Sequence, residues 1–319
     1  FMRTDTMWRL VGQGGGTVIC RLLRMSSKRW KNQIRDPRRR NGVETRVWVE
    51  TGIREFFAER GFLETRTPLL VRSPGMEPHI RPFKLERGSY LPTSPEFAMK
   101  KLLVGGLEKI FQICPAFRDE PRSHTHLPEF TLLEWYRAHA DELAIMRDVE
   151  ELVAALARDR AGTASGPAPL RYQGRELDVT PPWPRLKVRD LFAAHGVDLA
   201  GQHADREALA VKCRHLGLEV ADRDSWDDLY FRIWLNRIEP GLPADRAVFV
   251  HRYPKSQSAL AVVDEDPDGS LWARRFEFYL GGIELGNAFC ELVDPVEQRR
   301  RFETDMELRS LTYGADFPV

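Results

Sequence analysis

The sequence contains little cysteine, and its four cysteines lie far apart at positions 20, 114, 213 and 290. None belongs to a Cys-x-x-Cys pair, which argues against a zinc site and against a disulfide framework. The sequence also lacks a run of about 18 apolar residues and a charged-then-apolar start with a cleavage site. We therefore expect reduced thiols, no membrane span, no secretory signal and a cytoplasmic protein.

Positive charge is concentrated at the start of the chain. Residues 1–46 hold twelve lysine and arginine residues against three acidic ones, a net charge of +9 that leaves about −8 for the remainder. Such a segment could touch nucleic acid or resemble a transit peptide, but the chain begins with Phe1 and has internal methionines. We interpret residues 1–45 as a basic extension that is disordered or artefactual.

Apolar spacing divides the rest of the chain into helices and hairpins. Helices are predicted from Arg46 to Gly61, over 96–105 and over 141–160; an edge strand is predicted at 63–71, where Pro68 disfavours a central position; and hairpins are predicted at 111–136 and 273–292. Residues 166–245 differ in character and predict an inserted helical subdomain. Prominent hairpins separated by helices favour an α+β fold with an antiparallel core.

The first hairpin reads FQICPAFRDEPRSHTHLPEFTLLEWY. Strand alternation places Phe130, Glu134 and Tyr136 on one face of the returning strand. The incoming strand brings small and polar residues onto one face and ends at Arg118. A solvent-facing hairpin with a weak surface pair between Arg118 and Glu120 explains this pattern equally well.

The second hairpin turns at Gly281 and Gly282. A two-residue turn makes Glu277 and Glu284 diagonal neighbours about 7 to 8 Å apart. Two carboxylates at that distance suit Mg²⁺ that also holds substrate phosphates. Simple alternation would put Asn287, Phe289 and Glu291 on the opposite face, so we predict a β-bulge near Gly286.

Further acids remain once this carboxylate pair is assigned. Glu96, Glu134 and Glu291 would suit a substrate that carries ammonium groups. Arginine and Mg²⁺ together commonly stabilise phosphoryl charge in a transition state. The combination indicates a reaction between a nucleotide phosphate and an aminated acid.

Four segments of the sequence resemble one known family. FRDE followed by HLPEFTLLEWY resembles motif 2 of the class II aminoacyl-tRNA synthetases, and LETRTP is similar to the end of motif 1. TSPEFAMKKLLVGG and RRFEFYLGGIELGNAFCEL resemble the lysyl branch, and the resemblance covers about residues 46–310. Within that branch, the chain resembles the short paralogues that attach lysine or (R)-β-lysine to translation elongation factor P.

This resemblance implies roles for individual residues. In the ATP site, Arg118 would contact the α-phosphate, Glu120 the adenine amino group and His126 the outer phosphates, while Phe130 would stack on adenine. Glu277 and Glu284 would hold Mg²⁺, with Glu284 and Leu285 also in the ATP site. The amino-acid pocket would comprise Ser94, Glu96, Glu134, Tyr136, Asn287, Phe289 and Glu291.

The resemblance is incomplete in two places. Leu127 stands where the family usually has an asparagine that contacts ATP. The chain stops at Val319 without the glycine-rich motif 3 and its arginine, so we expect a truncated record that binds ATP poorly. Residues 1–45 offer too little length for a five-stranded anticodon-binding barrel, so we expect no anticodon recognition. A homodimer formed through the motif 1 region is a further family expectation.

Two other functions fit the same motifs. A catalytic fragment of a lysyl-tRNA synthetase shares nearly all of them. A regulatory paralogue that binds an amino acid without catalysis would keep the fold, although Arg118, Glu277 and Glu284 argue for catalysis. An aspartyl or asparaginyl enzyme fits less well, because its substrate would meet three carboxylates. The choice between α-lysine and (R)-β-lysine stays open.

Overall fold

The computed structural model describes residues 35–314, apart from positions 76, 78, 79, 124, 202 and 203. The chain divides between Trp48 and Val49 into two units. The described part of the first unit, residues 35–48, is almost entirely helical. The second unit contains every strand of the described chain.

The helices are α1 Pro37–Glu59, α2 Glu96–Val104, α3 Glu142–Ala161, α4 Val188–Ala193, α5 Arg206–His215, α6 Trp226–Ile233 and α7 Pro295–Tyr313. The strands are β1 Leu63–Glu64, β2 Lys109–Phe117, β3 Glu129–Arg137, β4 Leu170–Tyr172, β5 Arg175–Leu177, β6 Arg185–Lys187, β7 Ala247–Pro254, β8 Val263–Glu265, β9 Leu271–Leu280 and β10 Ile283–Phe289. None of the described helices combines the length and the apolarity that a bilayer crossing requires.

The strands form two main sheets. One has the order β1-β2-β3 and the other the order β10-β9-β7-β6, with β8 added alongside β9. Most pairs are antiparallel, whereas β1 runs parallel to β2 and β6 runs parallel to β7. A separate hairpin pairs β4 with β5. This mixture of helices and mainly antiparallel sheets confirms the predicted α+β class.

The two faces of β7 pack against different helices. Val248 and Val250 lie in a core cluster that also contains Phe192 of α4 and Tyr230 of α6. Phe249 points the other way and joins a second cluster with residues of α3. The described part of 166–245 therefore shares a core with the sheet, and it contributes three short strands as well as helices. The prediction of an inserted helical subdomain did not include β4, β5 and β6.

Helix α1 begins earlier than predicted, at Pro37 instead of Arg46. Asp36 starts it, because its carboxylate accepts a hydrogen bond of 2.9 Å from the backbone N–H of Arg38. An aspartate followed by proline is a strong helix start. Residues 37–45 are thus helical and not part of a disordered extension, while residues 1–34 lie outside the described chain.

The predicted strand at 63–71 is mostly irregular. Only Leu63 and Glu64 pair with β2, and the backbone N–H of Thr65 adds one bond to Phe111. Pro68 has no N–H to continue the ladder. Leu70 is 60% exposed. The prediction of a strand here was therefore too long.

The remaining expectations for local structure are confirmed. Helix α3 is capped by Asp141, whose side chain accepts from the N–H of Ala144. In the second hairpin, Glu284 pairs with Tyr279, and the register then shifts between Glu284 and Gly286. This shift is the predicted β-bulge. Because of it, Asn287 pairs with Glu277 and lies on the same face as Glu284.

Glycine at 286 is required by close packing. A Cβ added there would lie 2.3 Å from Cε1 of Phe278, the residue opposite it on β9. We expect Gly286→Ala to lower the free energy of unfolding by about 1 to 3 kcal/mol, because the ring must shift. Urea unfolding followed by circular dichroism measures this loss.

Gly241→Ala is the matched control, since a Cβ at 241 meets nothing within 4 Å. It should change the free energy of unfolding by about 0.5 kcal/mol or less. Equal stability of the two variants would show that Phe278 does not enforce the bulge.

Candidate active site

An acidic pocket forms where four parts of the second unit meet: the loop at 73–77, helix α2, strand β3 and the segment after β10. Ser94 Oγ accepts a 3.0 Å hydrogen bond from the N–H of Glu96, which fixes the start of α2. Helix α2 then presents Glu96 and Lys100, which lie on one face because they are four residues apart. Most of the residues predicted for an amino-acid pocket lie here: Ser94, Glu96, Glu134, Tyr136, Phe289 and Glu291. Asn287 instead accepts a 3.0 Å hydrogen bond from Arg275 Nε.

Glu134 on β3 is held by two hydroxyl groups. Ser94 Oγ donates to its Oε2 and Tyr136 OH donates to its Oε1, both at 2.6 Å. Tyr136 can reach Glu134 because residues two apart on a strand share a face. These three predicted residues form one hydrogen-bonded group.

Lys100 lies in this pocket and was not anticipated from the sequence. Its ammonium group is 2.6 Å from Glu96 Oε1 and 2.6 Å from Glu291 Oε2. It also lies 5.5 Å from the centre of the Phe289 ring. The spacing Glu-x-x-x-Lys along α2 was the available signal, but it is common on solvated helix faces.

Burial and mutual repulsion alter the charges of the pocket. Burial raises the pKa of Glu134 to about 7, and the carboxylate of Glu96 adds to the shift. Burial likewise raises the pKa of Glu291 to about 7, against the opposing effect of Lys100. For Lys100 burial acts to lower the pKa, but the carboxylates of Glu96 and Glu291 outweigh it and raise the pKa. The lysine is therefore charged, while two carboxyl groups titrate near neutrality.

A small cavity of about 30 Å³ adjoins this pocket and is lined by residues such as Gly75, Glu77, Thr93 and Glu96. A Cβ on Gly75 would lie 2.7 Å from both Glu77 Oε2 and Thr93 Oγ1, so only glycine fits. Burial raises the pKa of Glu77, and the Glu96 carboxylate raises it further. Glu77 is therefore a fourth carboxylate of the pocket, missed because no motif singled it out.

Arg118 directly follows β2 and lies next to the acidic pocket. Its guanidinium lies 5.2 Å from the centre of the Phe130 ring. Its positive charge acts to lower the pKa of both Glu77 and Glu284. Its Nε–H is buried and donates to no partner among the described residues, so it is available for a ligand. Arg118 thus stands between the acidic pocket and the predicted metal pair.

Three other predicted ATP-site residues lie apart from the acidic cluster. His126 is exposed, with Nδ1 3.0 Å from Ser123 Oγ. Glu120 is half-buried on the same loop, and Leu285 is 54% exposed at the bulge. The hydrogen bonds and ion pairs described within residues 35–314 do not join these three residues to the acidic cluster. The roles of these three residues stay predictions.

The predicted metal pair lies on β9 and β10 beside a second cavity of about 120 Å³. Glu277 accepts hydrogen bonds from Arg275 Nη2 at 2.7 Å and from Tyr279 OH at 2.8 Å. Enclosure by the protein raises the pKa of Glu284 to about 7, and the Glu277 carboxylate adds to this, although Glu284 remains at the exposed rim. Glu239 and Arg275, which also line the cavity, were not predicted.

Glu277 and Glu284 fit Mg²⁺ only as part of an open coordination shell. No group of three histidine, cysteine, aspartate or glutamate side chains that could hold a metal occurs in the part of the chain that the structure describes. A closed protein cage is therefore not formed there. Two carboxylates still fit Mg²⁺ of the kind that takes its other ligands from substrate phosphates and water.

Comparison with known proteins gives a consistent result. The family model of the class II tRNA synthetases (D, K and N) matches residues 24–313. A lysine–tRNA ligase of Pelotomaculum thermopropionicum is 38% identical over 290 residues, which is 88% of this chain and 55% of that protein. An elongation factor P–(R)-β-lysine ligase of Sodalis glossinidius is 37% identical over 279 residues, which is 84% of this chain and 78% of that protein.

A similar ligase for elongation factor P from Avibacterium paragallinarum is 35% identical over 275 residues, covering 83% of this chain and 78% of that protein. The chain spans less than two thirds of the length of the lysine–tRNA ligases it matches, such as 62% of the one from Moorella thermoacetica. The family model covers most of the chain, and its start at residue 24 lies within the segment interpreted as an extension. The chain belongs to the class II tRNA synthetase family, in the group of the D, K and N enzymes, whose members are ligases that use ATP.

Proposed function

We propose that this protein activates lysine or (R)-β-lysine with ATP and transfers the aminoacyl group to a lysine side chain of translation elongation factor P. The observation that carries the proposal is the acidic pocket beside Arg118, in which an ammonium group already lies between Glu96 and Glu291. Such a pocket suits a substrate with ammonium groups. Relatives named as ligases for elongation factor P support the choice of acceptor.

In the first step, the substrate's ammonium groups bind the carboxylates of the pocket and its own carboxylate points toward Arg118. That carboxylate is already ionised at pH 7, so no general base is needed. One of its oxygens bonds to the α-phosphorus of ATP, and the bond from that phosphorus to the pyrophosphate oxygen breaks. Arg118 stabilises the charge on the phosphoryl group, and positioning supplies much of the catalysis.

The other predicted residues bind the nucleotide in this proposal. Phe130 stacks on adenine, Glu120 accepts from the adenine amino group, and His126 contacts the outer phosphates, with Leu285 beside the ATP. Mg²⁺ held by Glu277 and Glu284 would neutralise charge on the triphosphate when bound. Ser94, Tyr136, Asn287 and Phe289 complete the wall of the amino-acid pocket.

In the second step, the side-chain amine of the acceptor lysine attacks the acyl carbon of the aminoacyl-adenylate. The amine must arrive uncharged, because an ammonium has no lone pair to donate. The new C–N bond forms as the C–O bond to AMP breaks, and the amine nitrogen loses a proton. The reaction would take place in the cytoplasm, and homodimerisation through the segment at 63–71 stays a prediction.

Transfer of lysine to tRNA is the second candidate function. Lysine–tRNA ligases match this chain at about the same identity as the ligases for elongation factor P. The adenylate chemistry is shared, so only the acceptor separates the two. A regulatory paralogue without catalysis is a third candidate, which the charged residues around Arg118 disfavour.

The acceptor assay decides between these candidates. The protein is incubated with ATP, Mg²⁺ and radiolabelled lysine or (R)-β-lysine, together with either elongation factor P or tRNA. We expect labelled elongation factor P and little labelled tRNA.

Arg118→Ala is the negative control in this assay and should lower the rate of adenylate formation by 10² or more, on the order of the loss seen when one charge-stabilising group is removed. Labelled tRNA with unlabelled elongation factor P would establish the second candidate. Absence of amino-acid-dependent ATP–pyrophosphate exchange would establish the third.

Glu291→Gln tests the amino-acid pocket. It keeps the shape of the side chain but removes a charge that meets an ammonium group. We expect the dissociation constant for lysine to rise by about 10- to 100-fold, as a lost charged hydrogen bond of about 1.5 to 3 kcal/mol implies. Calorimetric titration measures it. Glu303→Gln, at an exposed position on α7, should leave lysine binding unchanged; equal effects would remove Glu291 from the pocket.

Lysine binding should release protons near neutral pH. Because the pKa values of Glu134 and Glu291 are raised to about 7, both are partly protonated in the free pocket at pH 7. An ammonium ligand favours their ionised forms, so affinity should fall as pH drops from 8 to 6 and level off above about 8. Titrations in buffers of different ionisation enthalpy measure the protons released; a heat independent of buffer would contradict the prediction.

A further inference from the structure

Lys100 has no part in the reaction steps given above, yet it lies inside the amino-acid pocket. The titratable and charged groups that surround it come from every element of the pocket: Glu77 from the loop, Glu96 from α2, Glu134 and Tyr136 from β3, Glu291 after β10, and Arg118 at the end of β2. The neighbouring Lys101 is exposed on the other side of α2. The side chain of Lys100 is only 20% exposed, so α2 directs Lys100, and not Lys101, into the pocket.

Lys100 contacts one oxygen of each of two carboxylates and leaves the other oxygen of each without this contact. Its ammonium group forms ion pairs with Oε1 of Glu96 and Oε2 of Glu291. Among the described residues, no hydrogen bond is made to the second oxygen of either carboxylate. Glu134 differs, since both of its oxygens accept from hydroxyl groups. Of the two carboxylates that Lys100 contacts, each therefore keeps one oxygen that can accept from an ammonium group of a ligand.

A bridging cation also favours the charged forms of these two carboxylates and holds them close together. Buried carboxylates repel each other and tend to take up protons. A protonated carboxyl group would bind an ammonium ligand poorly, because it has lost the charge that the ligand pairs with. Lys100 opposes both effects from inside the protein, since it comes from the helix that carries Glu96.

We propose that Lys100 is a positioning residue that selects amino acids with two ammonium groups, because it bridges Glu96 and Glu291 and presents their second oxygens to the substrate. This inference rests on the proposed function. It differs from a competing role, in which Lys100 would occupy the substrate's place and leave when the substrate binds. Under our proposal Lys100 stays in place in the complex.

The test compares Lys100→Met with Lys100→Arg, and uses Lys101→Met as the matched control. Calorimetry measures the binding of lysine and of norleucine, which has the same carbon chain without the side-chain ammonium. At pH 7 we expect Lys100→Met to weaken lysine binding at least tenfold and to leave norleucine binding within twofold. Lys100→Arg should stay within threefold of the wild type, and Lys101→Met should not differ from it.

Two further readouts separate positioning from a merely structural role. Lysine binding by Lys100→Met should recover in part at pH 8.5, where the unbridged carboxylates ionise. In wild-type protein labelled with ¹⁵N-lysine, the side-chain resonance of Lys100, assigned by its loss in Lys100→Arg, should remain protected from solvent exchange when lysine is bound. This second measurement needs no neutral variant to fold.

Three results would overturn the proposal. Lysine binding by Lys100→Met that equals or exceeds the wild type would make Lys100 dispensable or a competitor. A loss that affects norleucine equally and does not recover at pH 8.5 would make its role structural. Loss of exchange protection on lysine binding would show displacement. Wild-type protein that binds no lysine would instead refute the proposed function itself.

Discussion

The pocket depends on one constraint: several carboxylates are held close together with limited access to water. Two unit charges about 4 Å apart interact with about 4 kcal/mol at an effective dielectric constant of 20, so adjacent ionised acids strongly disfavour one another. The structure relieves this repulsion in three ways. Lys100 bridges two of the acids, and the hydroxyls of Ser94 and Tyr136 donate to Glu134. The repulsion that remains contributes to the raised pKa values of Glu134 and Glu291.

The fold brings these acids together from distant parts of the sequence. The β-bulge after Glu284 turns Asn287 and Phe289 onto the face that carries Glu277. Helix α7 then secures the loops around the pocket, because Arg301 donates to the carbonyls of Ala259 and Ala261, and Arg309 donates to those of Glu77 and Ile80. Arginine is suited to this task, since its planar group can serve two carbonyls at once.

Some of this arrangement could be predicted from the sequence, and the rest could not. The α+β class, helix α3, both hairpins and the bulge follow from local patterns of alternation, capping and paired glycines. The convergence of Glu96, Glu134 and Glu291 came from resemblance to a family, because no local rule relates residues on three separate elements. Lys100, Glu77 and Arg275 were missed, since each is important only for what lies opposite it in space.

The errors have a physical reason as well. The segment at 63–71 alternates like a strand, but Pro68 lacks the N–H that a ladder needs, and tertiary pairing stops after Glu64. The start of α1 was placed too late because the basic charge of the segment was weighed more heavily than the aspartate–proline pair at 36 and 37. In both cases one backbone hydrogen bond, absent or present, decided the structure against the pattern of side chains.

Both cavities are lined by carboxylates that need positive charge, and Arg118 lies close to acids of each. On one side, acids need ammonium groups; on the other, Glu277 and Glu284 need a cation that a triphosphate would bring. An amino acid with a neutral side chain would leave a carboxylate of the first cavity unpaired, and an unpaired buried charge costs several kcal/mol. Under the proposed function, selection of a diamino acid follows from the protein's own excess of negative charge, and Arg118 supplies the positive group that the substrate's carboxylate meets.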